Sequence, residues 1–282
     1  MPWFPEFSTA IELARRDARK HGQADPVAQY LKALDDGRPG ALERVWPGEV
    51  VIHDPRAGEI RGHRQLRTFI RDNRVWMTEH RSRIRALASI SAGSRAVVEL
   101  LAHVLHDGRE VAWPMAVVAE SLDDRSVDFR TYCSQWPVDG RRHVRPPILQ
   151  ARDVAPPDVV ARYLEALAAG DAESIVNTFA PDGYLREPIG PEVVHRGTAE
   201  LRAFYARCFD AGGIGLQLCG TIDDGASCAL EYNLSTWGGE ALPPQAGLAV
   251  FERDPEGLLT AVRLYDDVEP PWTRRQVPTE SS

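Results

Sequence analysis

Cysteine is scarce in this sequence. Four occur in 282 residues, Cys133, Cys208, Cys219 and Cys228, and the first 132 residues have none. No two of them form a Cys-x-x-Cys pair, so neither a disulfide framework nor a cysteine-based zinc site is expected. Histidine pairs at ligand spacing are missing too, and no metal or other cofactor is expected. Positive charge is in deficit: 33 Lys and Arg against 41 Asp and Glu leave a net charge of −8. That argues against a nucleic-acid partner, whose mark is clustered excess Lys and Arg. The one basic cluster, Arg141–Arg145, is brief and sits in a Pro-rich joint, which reads as solvated chain. No apolar run reaches the length of a membrane span, so no membrane partner is expected. The opening MPWFPEFSTAIELARRDARK spaces Phe7, Ile11 and Ala14 as a helix but lacks the apolar core and cleavage site of a signal peptide. A reduced, cytoplasmic setting is the expectation.

What the sequence does have is a repeat. VAQYLKALDDG (27–37) returns as VVARYLEALAAG (159–170), with Tyr30 opposite Tyr163. His-Asp-Pro-Arg-Ala-Gly (53–58) returns as Arg-Glu-Pro-Ile-Gly-Pro (186–191), with Asp54 opposite Glu187. IRGHRQLRTF matches HRGTAELRAF, RAVVEL matches SCALEY, and VDFRTYCSQWP matches TAVRLYDDVEP. These matches put Glu99 on Glu231, Arg130 on Arg263, Tyr132 on Tyr265 and Cys133 on Asp266. A period of about 130 residues is domain-sized and far too long for a solenoid.

The expected organisation is an N-terminal helical extension over 1–24, a first domain over 25–137, a Pro-rich semi-rigid linker over 138–157, a second domain over 158–272 and a polar tail over 273–282. In each domain Val, Tyr and Leu at helical spacing predict an opening helix, with starts at Asp25-Pro26 and Pro157-Asp158. A short second helix, a short strand ending in the acid-Pro pair and a third helix near 63–74 and 198–210 follow. Three or four longer strands broken by Asp-Gly, Gly-Gly and Asp-Asp turns complete each domain. Helices first, then an antiparallel meander, is an α+β layout. The sheet must curl around the helices to bury its inner face, leaving a cone with a pocket.

This order of elements, with RYLEALAAGDAESIVNTFAPDGYLREPIG, GTAELRAFYARCF and FERDPEGLLTAVRLY, resembles the NTF2-like superfamily and its ketosteroid-isomerase and SnoaL-like branch. The resemblance covers nearly all of 159–267 and, more weakly, 27–134. It implies two tandem cones packed as a pseudo-dimer, monomeric as a chain, with a small apolar molecule as partner. Residue by residue, it implies a general base at Glu187, an oxyanion-hole tyrosine at Tyr163 and a helix-3 tyrosine at Tyr205 bonded to the first. The position of the second oxyanion donor, a protonated aspartic acid in the family, falls on Ala249. In the first domain Asp54 and Tyr30 take the base and oxyanion positions, Ile70 replaces the helix-3 tyrosine, and Ala116 falls at the second donor. Neither domain has a complete steroid-isomerase set.

Two readings stand for each of these residues. An acid before proline either presents a base or ends a strand as a solvated turn residue. A tyrosine on an apolar helix face either donates to a substrate oxygen or satisfies its hydroxyl within the core. In SCALEYNLSTW, period two puts Leu230, Tyr232 and Leu234 on the pocket face and Glu231 on the outer face. Asp266 and Cys133 align with a cavity-lining position. Asp266 is then either a second inward acid beside Glu187 or, with Asp267, a solvated strand end. Cys133 reads as a small buried hydrophobe and Trp113 as core or cavity wall.

Three functions remain open from sequence. One is cofactor-free proton transfer on a small apolar carbonyl compound in the second cone. Another is a non-catalytic binding or scaffold pseudo-dimer. The third is an epoxide hydrolase/cyclase of the polyether type, for which Asp54, Glu187 and Asp266 would be the acids. The discriminator is a second inward acid near Glu187.

Overall fold

The computed structural model describes residues 26–267. The expected N-terminal extension and the polar tail lie outside the described residues. The chain divides into two compact units between Cys133 and Ser134.

Unit one opens with α1 (Pro26–Asp36) and α2 (Gly40–Val45), then β1 (Val50–Asp54) and β2 (Gly58–Arg61), α3 (Gly62–Glu79), and four longer strands. These are β3 (Arg83–Ala92), β4 (Arg95–His106), β5 (Arg109–Ser121) and β6 (Val127–Tyr132). Unit two follows a one-turn helix α4 (Trp136–Asp139) with α5 (Asp158–Ala169), α6 (Ala172–Val176), β7 (Phe179–Arg186), β8 (Val194–Arg196) and α7 (Gly197–Cys208). Its long strands are β9 (Ile214–Asp223), β10 (Ser227–Trp237), β11 (Glu240–Arg253) and β12 (Leu259–Leu264).

Each unit holds one six-stranded mixed sheet, ordered β2-β1-β6-β5-β4-β3 and β8-β7-β12-β11-β10-β9. The order is the same in both. The strand after the short helices runs parallel to the last strand, and the other pairings are antiparallel. These are two tandem domains of one topology, of the α+β class.

Register aligns the two copies. Glu99 pairs with Ala88 and Leu100 with Ala86, skipping one residue; Glu231 pairs with Gly220 and Tyr232 with Leu218, skipping one residue at the same place. A bulge bends a strand and raises its local twist, which is what lets each sheet wrap its helices. His53 lies beside Arg130 on the parallel pair, as Arg186 lies beside Arg263, so Asp54 and Glu187 end the same strand. One alignment shifts by a residue. Glu99 faces Ala116 as Glu231 faces Leu248, so Val117, not Ala116, is the counterpart of Ala249. The extra residue that shifts the match lies in the β11–β12 turn, since Ala119 faces Phe129 while Phe251 faces Val262.

The cores follow from periodicity. In α5 the buried face is Val159, Val160, Tyr163, Ala166 and Leu167, the helical stripe expected for one buried side. The helix stops at Gly170, whose φ of +71° is the left-handed cap geometry glycine adopts freely. α1 buries Val27, Tyr30, Leu31 and Leu34 in the same manner. Residues 140–157 form no regular element and run along unit two. Arg145 O accepts from Ala246 N, Leu218 O from Arg152 N, and Leu149 O from Asn233 Nδ2.

Candidate functional site

The helices and sheet of unit two enclose a cavity of about 320 Å³. Tyr163, Leu164 and Leu167 reach it from α5, and Phe204, Tyr205, Arg207 and Cys208 from α7. Leu230, Tyr232, Leu234 and Trp237 come from β10, Ala249 and Phe251 from β11, and Glu187 from the end of β7. Asp266, two residues past β12, and Arg142, from the segment before α5, complete the polar wall. Alternation along β10 explains the choice: Leu230, Tyr232 and Leu234 share one pleat face, and buried Glu231 does not line the cavity.

At the centre, the Tyr163 and Tyr205 hydroxyls lie 2.8 Å apart. Only one proton is used within that pair, so one hydroxyl proton remains to donate elsewhere. Phe251 holds the Tyr163 ring edge-on, with centroids 5.3 Å apart. Burial pushes both tyrosines well above the ordinary phenol range, keeping them neutral donors.

Asp266 is the second polar element, and it is not a solvated strand end. It is 6 % exposed, and burial raises its carboxyl from 3.8 to about 7. A hydrogen bond with Tyr232 and the Arg142 charge oppose that rise, while neighbouring Asp267 adds to it. Tyr232 lies flat across Gly247, where a Cβ would come within 2.4 Å of the Tyr232 ring; only glycine lets the ring pass. Asp267 turns the other way. Its carboxylate accepts from Ser134 Oγ and Gln135 N at 3.0 Å each and from His143 N at 2.6 Å.

Glu187 is part-buried, and its Oε1 lies 2.8 Å from His195 Nε2. The β7–β8 register sets this pair, because Leu185 faces His195 and Glu187 lies two residues on, on the same face. Phe204 stacks on the His195 ring at 4.4 Å between centroids and fixes its plane. His195 escaped the sequence reading; the available signal was its place in the short strand that returns alongside the acid. Cys208 also lines the cavity, but burial, with Glu187 adding, pushes its thiol up to about 12, leaving it protonated and unreactive.

Unit one places the matching residues differently. Asp54 Oδ1 accepts the backbone hydrogens of Arg56 and Ala57 at 2.9 and 2.8 Å, the geometry of a turn acid. Tyr30 is buried, stacks on Phe129 at 4.5 Å and bonds Thr131. Trp113 is buried and edge-on to Trp76, and Cys133 is buried. Among the described residues no group of three His, Cys, Asp or Glu is placed to hold a metal ion, and no helix is long and apolar enough to cross a membrane.

The SnoaL-like domain model matches twice, over residues 27–129 and 160–262. The chain belongs to the SnoaL-like family. Among similar proteins is a steroid Δ-isomerase from Nocardioides simplex, 29% identical over 106 residues, which are 38% of this chain and 85% of that one. An NTF-2 like protein from Burkholderia xenovorans LB400 is 20% identical, with 44% of this chain and 94% of that one covered at a TM-score of 0.33. The epoxide hydrolase/cyclase-like enzyme SalBIII, of pyran ring formation in the polyether salinomycin, is 22% identical, with 38% and 87% covered at a TM-score of 0.33.

Proposed function

We propose that the second SnoaL-like unit is a cofactor-independent general acid/base enzyme acting on a small apolar carbonyl compound, as an isomerase, cyclase or dehydratase. The observation that carries this reading is the convergence of Glu187, the Tyr163–Tyr205 hydroxyl pair and Asp266 on one cavity whose remaining wall is mostly apolar. The similarity to a steroid Δ-isomerase agrees with it.

In this reading Glu187 takes the proton from the carbon next to the carbonyl. The C–H electron pair moves into the new C=C bond, and the carbonyl oxygen becomes the enolate oxygen. Tyr163, backed by Tyr205, donates to that oxygen as charge develops there. Ala249 offers no second donor, but it pairs with Leu264, and Asp266 lies two residues beyond Leu264 on the same cavity wall. Asp266 with its proton on fills the missing role. Ketosteroid isomerase is a standard case of a carboxylic acid kept neutral to donate in this way. The proton then returns from Glu187 to a different carbon, or the enolate carbon attacks a second carbonyl, whose π electrons move to its oxygen, and that oxygen takes the proton from Glu187. His195 holds the Glu187 carboxylate toward the cavity and is a positioning residue.

A second inward acid is also what an epoxide-opening reading requires, and Asp266 supplies one. The two reactions separate in one experiment: α-proton exchange of cyclic ketones in D₂O, followed by NMR, alongside ring opening of cyclic epoxides. The carbonyl reading expects exchange that Glu187→Gln and Tyr163→Phe each slow at least about a hundredfold. Epoxide opening without exchange would replace it, and ligand binding with neither reaction would reduce unit two to a binding module.

A further inference from the structure

One buried polar side chain beside the cavity has no part in the reaction above. Gln245 lies on β11 and is 1 % exposed, yet among the described residues neither its Oε1 nor its Nε2 has a hydrogen-bond partner. A buried amide left this way costs the fold free energy until it meets a partner. Register shows which way it faces. Gln245 pairs with Leu234 across β10–β11, and directly opposed residues share a sheet face. Leu234 lines the cavity, so Gln245 stands on the cavity side of the sheet, although its amide is not itself on the wall.

Register also places Gln245 relative to the reacting groups. Ala249 pairs with Leu264, the level at which β7 ends and Glu187 follows. Tyr265 N donates to Leu248 O, so the next residue, Asp266, comes level with Gly247. Gln245 is the next residue of β11 on that face, about 7 Å further from Glu187 at about 3.4 Å per residue.

We infer that Gln245 is a specificity-determining residue of the second cavity: its carboxamide binds a hydroxyl group that the ligand carries about 7 Å from its carbonyl oxygen. The inference rests on the cavity being the ligand site proposed above. Among the described residues no hydrogen bond holds the amide in place, and its stem has several rotatable bonds, so a rotamer change brings it onto the wall beside Leu234. A hydroxyl suits it from either end, donating to Oε1 or accepting from Nε2. A ligand that is apolar there leaves both unmet.

Two probes test this on the full chain at about pH 6, where a phenol is neutral: para-hydroxyacetophenone and acetophenone. Calorimetric titration is expected to show the wild type binding the hydroxylated probe about threefold to tenfold more tightly. Gln245→Met, which keeps the length and removes the amide, is expected to erase that preference. The same variant should melt about 2–4 °C higher, because an unmet buried amide is gone. A wild type without the preference, or a preference that survives in Gln245→Met, would overturn the inference while leaving the cavity as the ligand site. So would a lower melting temperature in both Gln245→Met and Gln245→Leu, which would mean that the amide is already paired in the free protein. If neither probe binds the wild type, both the inference and the ligand site fail.

Discussion

Units one and two share every strand pairing and even the position of a bulge, yet their interiors diverge at a handful of places. Across β5–β6 of unit one, small Ala119 faces large Phe129; across β11–β12 of unit two, large Phe251 faces small Val262. The aromatic ring has moved one strand over. In unit one it stacks flat on Tyr30, whose hydroxyl turns to Thr131. In unit two it meets Tyr163 edge-on, and the hydroxyl pairs with Tyr205, where Ile70 stands in unit one. Leu100 opposite Met115 becomes Tyr232 opposite Gly247, and Cys133 becomes Asp266. One scaffold thus carries different cross-strand pairs around its two tyrosines.

The comparison breaks hardest at the two acids. Glu187→Gln is expected to lower the α-proton exchange rate on the order of 10²–10⁴, the usual contribution of a positioned base. Asp54→Asn is expected to leave that rate unchanged, because its carboxylate caps a turn. An equal loss from both would make the units functional equals. Next come the tyrosines. Tyr163→Phe removes an oxyanion donor and should cost on the order of 10²–10³ in kcat. Tyr30→Phe should cost about 1 kcal/mol of stability, read by denaturant unfolding, and no activity.

Smaller again is His195→Gln, expected to lower kcat about tenfold with little change in KM. A purely structural role would lower the melting temperature without this split between kcat and KM. Asp266 also leaves a mark on stability. Its folded value of about 7 lies above its ordinary 3.8, so the unfolded chain releases this proton first. Stability should therefore fall as pH rises between those two values, by up to about 1.4 kcal/mol per pH unit. Asp266→Asn should flatten that slope, and Cys133, its counterpart in unit one, gives no reason for a matching slope there.

Much of this was legible in the chain. The constant offset between Asp54 and Glu187 and between Tyr30 and Tyr163 exposed two copies, and period-two alternation placed Leu230, Tyr232 and Leu234 on one face. What stayed hidden depended on register and distance. His195 meets Glu187 only because Leu185 faces His195 across β7–β8. The burial of Asp266 and Asp267 depends partly on residues 134–143, more than a hundred positions earlier, folding back on the end of β12. Composition read that segment as a solvated basic joint; its hydrogen bonds to unit two make it part of the site's wall. Ala116 was misplaced by one residue because the sequence does not show that the extra residue of unit two lies in its last hairpin, after Ala249.

The central claim is that unit two works with a neutral Asp266 beside Tyr163. The pH dependence of α-proton exchange, measured on wild type and Asp266→Asn with one cyclic ketone, tests it most directly. The account predicts that wild-type exchange falls off above about pH 7, as the donor proton is lost, and that the amide of Asp266→Asn, which donates at every pH, removes this fall. A wild-type rate that keeps rising through pH 7, or an alkaline fall that survives in Asp266→Asn, would contradict it.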